Sequence, residues 1–274
     1  LITGHDVDAV DVSVVIPTCN RPYQLLEALS SVLGQSDVTL EVIVVDDSAD
    51  GTARDAVASA PDPRVHYIRR GEPSGGRPAL VRNDGARLAR GRYLYFLDDD
   101  DLLEPDTLAT MRKILDANPA AGMAFGVVEP FGNDENLLRH ETQYFGEARR
   151  IARRLSGRLE LSARLVFLTT ILVNSACMAR RSAFIAVGGY DPQIPVLEDT
   201  ELWARVVHST DYVFLDRPVV RYRTGAPSLM HDLTPNDAKL DVSYRRIHAR
   251  FRERHGFISY LAMKLWARTI LQWI

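Results

Sequence analysis

The chain has 274 residues, of which 46% are hydrophobic and 25% charged, and its formal net charge is −3 at pH 7. This is the profile of a folded globular protein with room for one large domain or two small ones. The near balance of charge gives no case for nucleic acid, or for an anionic membrane, as the main partner. All but three of the 33 basic residues are arginine, which fits a GC-rich bacterial genome. Cys19 and Cys177 make neither a disulfide framework nor a zinc pattern, so a reducing cytoplasm is expected. No stretch reaches the ~20 apolar residues of a membrane span. Peripheral contact at the inner face of a membrane stays open. The chain opens at Leu1, so its termini read as trimmed and carry no targeting argument.

"DVSVVIPTCN" is a β-branched run ended by a proline, which predicts a buried strand with a loop at its carboxyl end. "RPYQLLEALSSVLGQ" follows as a helix with Leu25, Leu29, Val32 and Leu33 at helical spacing and Pro22 in its first turn. "LEVIVVDDSADGT" repeats the design: strand, acidic turn, then a helix through "ARDAVASA". "RVHYIRR" is a third strand, "RPALVRNDGARLARG" a helix closed by Gly91, and "RYLYFLDDDD" a fourth strand ending in four aspartates. Further on, "AGMAFGVVEPFG" reads as a strand. Residues 136–165 look irregular and partly helical. "NSACMARRSAFIAVGGYD" reads as a strand and then a short helix stopped by Gly188-Gly189. "LEDTELWARVVHS" is a helix opening at an acidic pair, and "YVFLDRPVVRYR" a strand pair turned at Asp216-Arg217-Pro218. Residues 236–274 look helical throughout.

Alternation of strand and helix through the first hundred residues predicts a mostly parallel sheet covered by helices. Ligands bind such sheets at the carboxyl ends of the strands. Pro17-Thr18, Asp46-Asp47 and the run Asp98 to Asp101 all fall there, so they should converge on one edge. Capping of the next helix would account for Asp101 or Asp106 alone. Four adjacent carboxylates at the end of a buried strand repel one another, and a hard divalent cation, Mn²⁺ or Mg²⁺, would relieve that repulsion. Its natural co-ligand is a diphosphate.

Four stretches occur in order between about residues 12 and 225: "VSVVIPTCNRP", "EVIVVDDSADGT", "RPALVRNDGARLARGRYLYFLDDDD" and "GGYDPQIPVLEDTELWARV". Together they resemble the inverting nucleotide-sugar glycosyltransferases of family 2. The resemblance implies the α/β GT-A fold: a Rossmann-like, mostly parallel central sheet flanked by helices, with a C-terminal helical extension. It implies a transferase domain over about residues 1–235, with a nucleotide-binding half near 11–101 and an acceptor half near 102–235, and the extension over about 236–274. In that frame Pro17, Thr18 and Arg21 meet the nucleotide. Asp47 accepts a hydrogen bond from the base, usually uracil N3–H, and Arg77 and Arg82 lie near the donor's phosphates or base. Asp98-Asp99-Asp100 matches the DXD motif, with Asp98 at the ribose or a metal-bound water and Asp100 on the metal. Glu198-Asp199 matches the pair whose aspartate is the usual catalytic base. The implied donor is a nucleoside diphosphate sugar, UDP favoured and dTDP open. The implied acceptor is a hydroxyl on a saccharide, a lipid-linked sugar or a natural product.

The turn "DDSADGT" is one residue shorter than the usual one, and His231 stands further from "RYR" than the histidine of many relatives. A retaining transferase on the same fold and an inactive sugar-nucleotide-binding module are the alternatives. A Rossmann dehydrogenase would need a GxGxxG turn after the first strand, and "IPTCNRP" has none. A sugar-phosphate nucleotidyltransferase is set aside because that turn lacks glycines. Cys19 reads as a packing residue, Trp203 as core or as a sugar-stacking ring, and Asn174-Ser175 as acceptor-site lining or a strand end. The segment 257–274 is amphipathic, with Phe257, Leu261, Leu265 and Trp266 along one stripe. It packs on its own domain, forms a homodimer contact, or touches a membrane.

Overall fold

The computed structural model describes residues 10–168, 170–225, 237–269 and 271–273. The first half alternates as expected: β1 (Val12–Thr18), α1 (Pro22–Leu33), β2 (Leu40–Asp46), α2 (Arg54–Ser59), β3 (Val65–Arg69), α3 (Pro78–Leu88) and β4 (Tyr93–Phe96). Then come β5 (Leu102–Leu103), α4 (Thr107–Ala117), β6 (Ala121–Phe131), α5 (Glu135–Ala152) and α6 (Arg158–Phe167). A 3-10 turn at Asn174–Ala176 leads into β7 (Cys177–Arg180), α7 (Arg181–Val187), α8 (Glu198–Ser209) and β8 (Asp211–Arg223). The chain closes with α9 (Ala238–His255), α10 (Phe257–Thr269) and a 3-10 turn at Leu271–Trp273.

One eight-stranded sheet, ordered β3-β2-β1-β4-β7-β6-β8-β5, runs through both halves. β1 pairs in parallel with β2 and β4, β2 with β3, and β6 with β8, while β7 lies antiparallel between β4 and β6. Successive residues of a strand face opposite sides. Thus Val15, Ile43, Leu94 and Phe96 enter one core with Leu165, Trp203 and Val206. Val14, Ile16, Val42 and Tyr95 enter the other with Leu25, Leu29, Leu108 and Met111. The β-branched runs of β1 and β2 are buried because helices cover both faces.

Several expectations need correction. Residues 136–165 are helical, as expected in part, but more regular than expected: they form α5 and α6, and Asp134 caps α5 by accepting from the Asn136 and Leu137 N–H groups. Asp216-Arg217-Pro218 does not turn a strand pair. It bulges one continuous strand, where the register against β6 jumps from Gly126↔Leu215 to Val127↔Pro218. Pro218 has no N–H to give the ladder, so pairing lapses and resumes without reversing. Asp216 accepts from Arg149 Nε at 2.6 Å and Arg153 Nε at 2.7 Å, which holds the bulge to α5. Gly91 does not close α3, which ends at Leu88; a Cβ there would lie 2.5 Å from Ser13 N, so close approach to β1 requires the glycine. The C-terminal region is two helices broken at Gly256, whose φ of +81° suits glycine. Of the apolar stripe over 257–266, most faces outward rather than onto its own domain. α10 packs inward through Tyr260, Met263 and Ala267, while Phe257, Leu261 and Leu265 are exposed. Trp266 is partly buried against Ala163 and Leu271.

Candidate functional site

The register Thr18↔Asp46 between β1 and β2, with β4 on the other side of β1, brings the carboxyl ends of three strands to one edge. Beside that edge lies a cavity of about 420 Å³. The residues expected at the nucleotide, the metal and the reacting centre line it: Pro17, Thr18, Arg21, Asp47, Arg77, Arg82, Asp98, Asp99, Asp100, Glu198 and Asp199. His231 lies outside the described residues. Ser74, Asn174, Tyr222 and Arg223 also line the cavity, and of these only Asn174 carries a sequence expectation. Ser74 sits in a glycine-rich loop with no motif of its own. Arg223 reaches the site because β8 pairs with β6 and with the two-residue β5 beside the aspartate run, contacts no periodicity reveals.

The two adjacent aspartates after β2 divide in role. Asp46 is wholly buried and structural, accepting from Ser48 N at 2.9 Å, Ala53 N at 3.0 Å and the Tyr67 hydroxyl at 2.9 Å. Asp47 lines the cavity and accepts from Ser74 N at 2.7 Å and Ser74 Oγ at 2.5 Å, with Arg70 Nε 3.1 Å away. A carboxylate has about four lone-pair sites, so it can take a further N–H donor.

Arginines answer the repulsion in the aspartate run. Arg21 donates to Asp99 at 3.2 Å and to Asp100 at 2.7 Å, Thr18 Oγ1 donates to Asp99 at 2.7 Å, and Arg82 donates to Asp98 at 2.6 Å. Burial pushes the Asp99 carboxyl up to about 6, Thr18 opposing and the Asp100 charge adding. Burial and the Asp98 charge also raise Asp100. Asp101 caps nothing. It is buried and accepts from Arg223 N at 3.0 Å, tying the loop to β8.

Arg82 is the hinge of the site. Besides Asp98 it ion-pairs with Glu198, and it lies 5.7 Å from the Tyr190 ring centroid. Burial disfavours its charge, yet Asp98 and Glu198 hold its pKa well above the ordinary value. Glu198, pushed by burial to about 7 against the pull of Arg82, is occupied by that pair. Asp199 is placed differently. It is half-buried, its Oδ1 accepts from Thr200 N at 2.7 Å, and it has no ion pair among the described residues. Burial raises its pKa, with Arg82 opposing. The residue before the pair, Leu197, takes φ +63°. That conformation costs a non-glycine residue about 1–3 kcal/mol and is concentrated at functional sites.

Cys19 is exposed at the cavity rather than packed, and burial with the Asp47 and Asp46 charges raises its thiol pKa, which disfavours the nucleophilic thiolate. Trp203 lies in the core, away from the cavity lining. Asn174 accepts from the Tyr190 hydroxyl at 2.8 Å, and its buried Nδ2 finds no partner among the described residues. Ser175 is a brace, its Oγ accepting from Asp98 N at 3.1 Å.

Among the described residues no group of three or more His, Cys, Asp or Glu has the arrangement to hold a metal ion. Asp98 and Asp100 still fit a hard divalent cation. They are oxygen donors, each ion-paired with an arginine, and Mg²⁺-type sites take one or two carboxylates with phosphates completing the shell.

A curled α/β sheet with this edge cavity defines the GT-A class of fold. The structure is similar to Staphylococcus aureus TarS (residues 1–349) in complex with UDP-GlcNAc, with a TM-score of 0.68 at 17% identity, covering 94% of this chain and 73% of that one. It is also similar to the mannosyltransferase PcManGT of Pyrobaculum calidifontis in complex with GDP-Man and Mn²⁺, with a TM-score of 0.60 at 19% identity, covering 97% and 72%. The chain belongs to glycosyl transferase family 2, whose model matches residues 13–188. Among curated relatives, the succinoglycan biosynthesis protein ExoO of Rhizobium meliloti is 42% identical over 118 residues, 43% of this chain and 32% of that protein. The uncharacterized protein MT1568 of Mycobacterium tuberculosis is 30% identical over 78% of this chain and 68% of its own length. The chain spans a third or less of the length of the first curated relatives it matches.

Proposed function

We propose that this chain transfers a sugar from a nucleoside diphosphate sugar, UDP favoured and dTDP open, to an acceptor hydroxyl with inversion at the anomeric carbon. One observation carries the reading: Asp47, Asp98, Asp100 and Asp199 line a single cavity. That is the layout needed for base recognition at one end and proton abstraction at the other. Asp47 accepts from uracil N3–H. Pro17, Thr18, Arg21 and Arg77 shape the wall around nucleotide and diphosphate, with Asp98 and Asp99 toward the ribose. Asp98 and Asp100 would hold Mn²⁺ or Mg²⁺, which when bound supplies charge stabilisation at the departing diphosphate. The division near residues 101 and 235 into nucleotide half, acceptor half and helical extension follows the same scheme.

The acceptor hydroxyl gives its proton to Asp199 as its oxygen bonds to the anomeric carbon, and the bond from that carbon to the diphosphate breaks on the opposite face. Of the acidic pair, Asp199 is suited to the base role because it has no ion pair among the described residues. Glu198 positions Arg82, which fixes Asp98 in turn. The raised pKa of Asp199 favours proton uptake in the reaction. A donor screen read by nucleotide release, with the product's anomeric configuration assigned by NMR, tests this. Release of UDP with an inverted product supports it. A retained configuration, or no release with any donor, overturns it.

A further inference from the structure

Charge and exposed apolar surface are concentrated together at the C-terminal end. Residues 237–274 hold eight Lys or Arg against three Asp or Glu, whereas the whole chain holds 33 against 36. A basic extension on an acidic body is hidden in the small net charge of the whole chain. The outward side of α10 presents Ile258, Leu261, Ala262 and Leu265 at i, i+3, i+4 and i+7 spacing. Ile258 is 83% exposed and Leu265 66%, and Trp273 beyond them is 79% exposed. Lys264 and Arg268 flank this stripe on the same helix. Neither has a carboxylate partner among the described residues, and Lys264 lies 5.6 Å from the Tyr260 ring centroid. No helix among the described residues is long and apolar enough to cross a membrane.

We propose that this face docks on an anionic phospholipid bilayer. α10 lies in the plane of the interface, with Ile258, Leu261 and Leu265 at the acyl boundary and Lys264 and Arg268 among the headgroups. An apolar face edged by basic residues is the signature of an interfacial helix. A second copy fits less well, because a two-fold contact through this face would set its basic residues against themselves. The extension is fastened to the cavity. Arg246 Nε and Arg250 on α9 reach Asp191 at 3.1 and 2.6 Å, and Val196 N donates to Ser243 Oγ at 3.3 Å. Val196 and Leu197 line the cavity, so a docked extension would hold one of its walls at the bilayer. The inference stands apart from the proposed transfer, since lipid binding is read without turnover.

Co-sedimentation of the full chain with phosphatidylcholine vesicles, with and without about 30% phosphatidylglycerol, tests it. Strong partition onto the anionic vesicles is expected, falling with salt and by about fivefold for each of Lys264→Gln and Arg268→Gln. Ile258→Glu with Leu265→Glu should abolish it while leaving the melting temperature near wild type, as both positions are exposed. If that pair unfolds the chain, the two Gln variants answer the same question. Equal partition onto neutral and anionic vesicles overturns the proposal, as does partition unchanged in the Glu or Gln variants. A dimer that the Glu pair dissociates, without vesicle binding, assigns the face to a second copy instead and also overturns it.

Discussion

Asp199 and Glu198 are neighbours in sequence but electrostatically unlike, and substitution should separate them. Asn at 199 keeps the shape but cannot take a proton. Asp199→Asn is therefore expected to lower kcat by ~10²–10⁴-fold with donor affinity unchanged, measured by nucleotide release and calorimetry. Glu198 acts through Arg82. Removing that arginine leaves a buried carboxylate unpaired, so Arg82→Gln should cost about 3–5 kcal/mol in urea unfolding, besides weakening the donor site. Asp100→Asn should weaken donor binding in the presence of Mn²⁺. Asp101→Asn should lower stability instead, because Asp101 ties the loop to β8 through Arg223 N. The acidic positions were legible because carboxylates at strand ends follow from pattern and motif. Their partners were not. Arg82 and Glu198 are 116 residues apart, and only the packing of α3 against α8 joins them.

Elements were legible where hydrophobic period and punctuation agreed, as in β1, α1, β2 and α8. They were misread where a tertiary partner settles the matter, as in the β8 bulge held by α5. The packing of α9 on α8 makes its own prediction. The His208 ring on α8 stacks 3.7 Å from that of His255 on α9, with Arg254 from α9 and Arg158 and Ser162 from α6 around it. Burial, then His255 and the two arginines, lowers the His208 pKa from 6.5 to about 4. The folded state thus binds fewer protons than the unfolded one. The stability this contributes is full above about pH 6.5 and is lost as pH falls toward about 4. Thermal melts over that window should fall less steeply for His208→Gln than for wild type. Parallel slopes would show that His208 does not carry the effect.

Across the whole molecule, the proposed donor half presents carboxylates to the cavity and would receive a diphosphate, so donor binding is expected to depend on a cation between like charges. UDP with Mn²⁺ at ~100 times its Kd should stabilise the fold by about 2.7 kcal/mol. For a chain of this size that is a rise in Tm of about 5 °C. UDP after complete chelation should give almost none of it, and equal shifts under both conditions would remove the metal from the scheme. The base is decided in the same experiment. Asp47 offers an acceptor, which matches uracil N3–H and the same edge of thymine. Guanine offers N1–H and a second donor in its exocyclic amine, and so needs a wider acceptor arrangement than one carboxylate already engaged by Ser74. UDP is expected to give the largest shift, the shortened "DDSADGT" turn leaves dTDP open, and GDP is expected to be weaker than UDP. A larger Tm shift with GDP than with either pyrimidine nucleotide would show that Asp47 does not read the base, and the donor would have to be sought among guanosine diphosphate sugars.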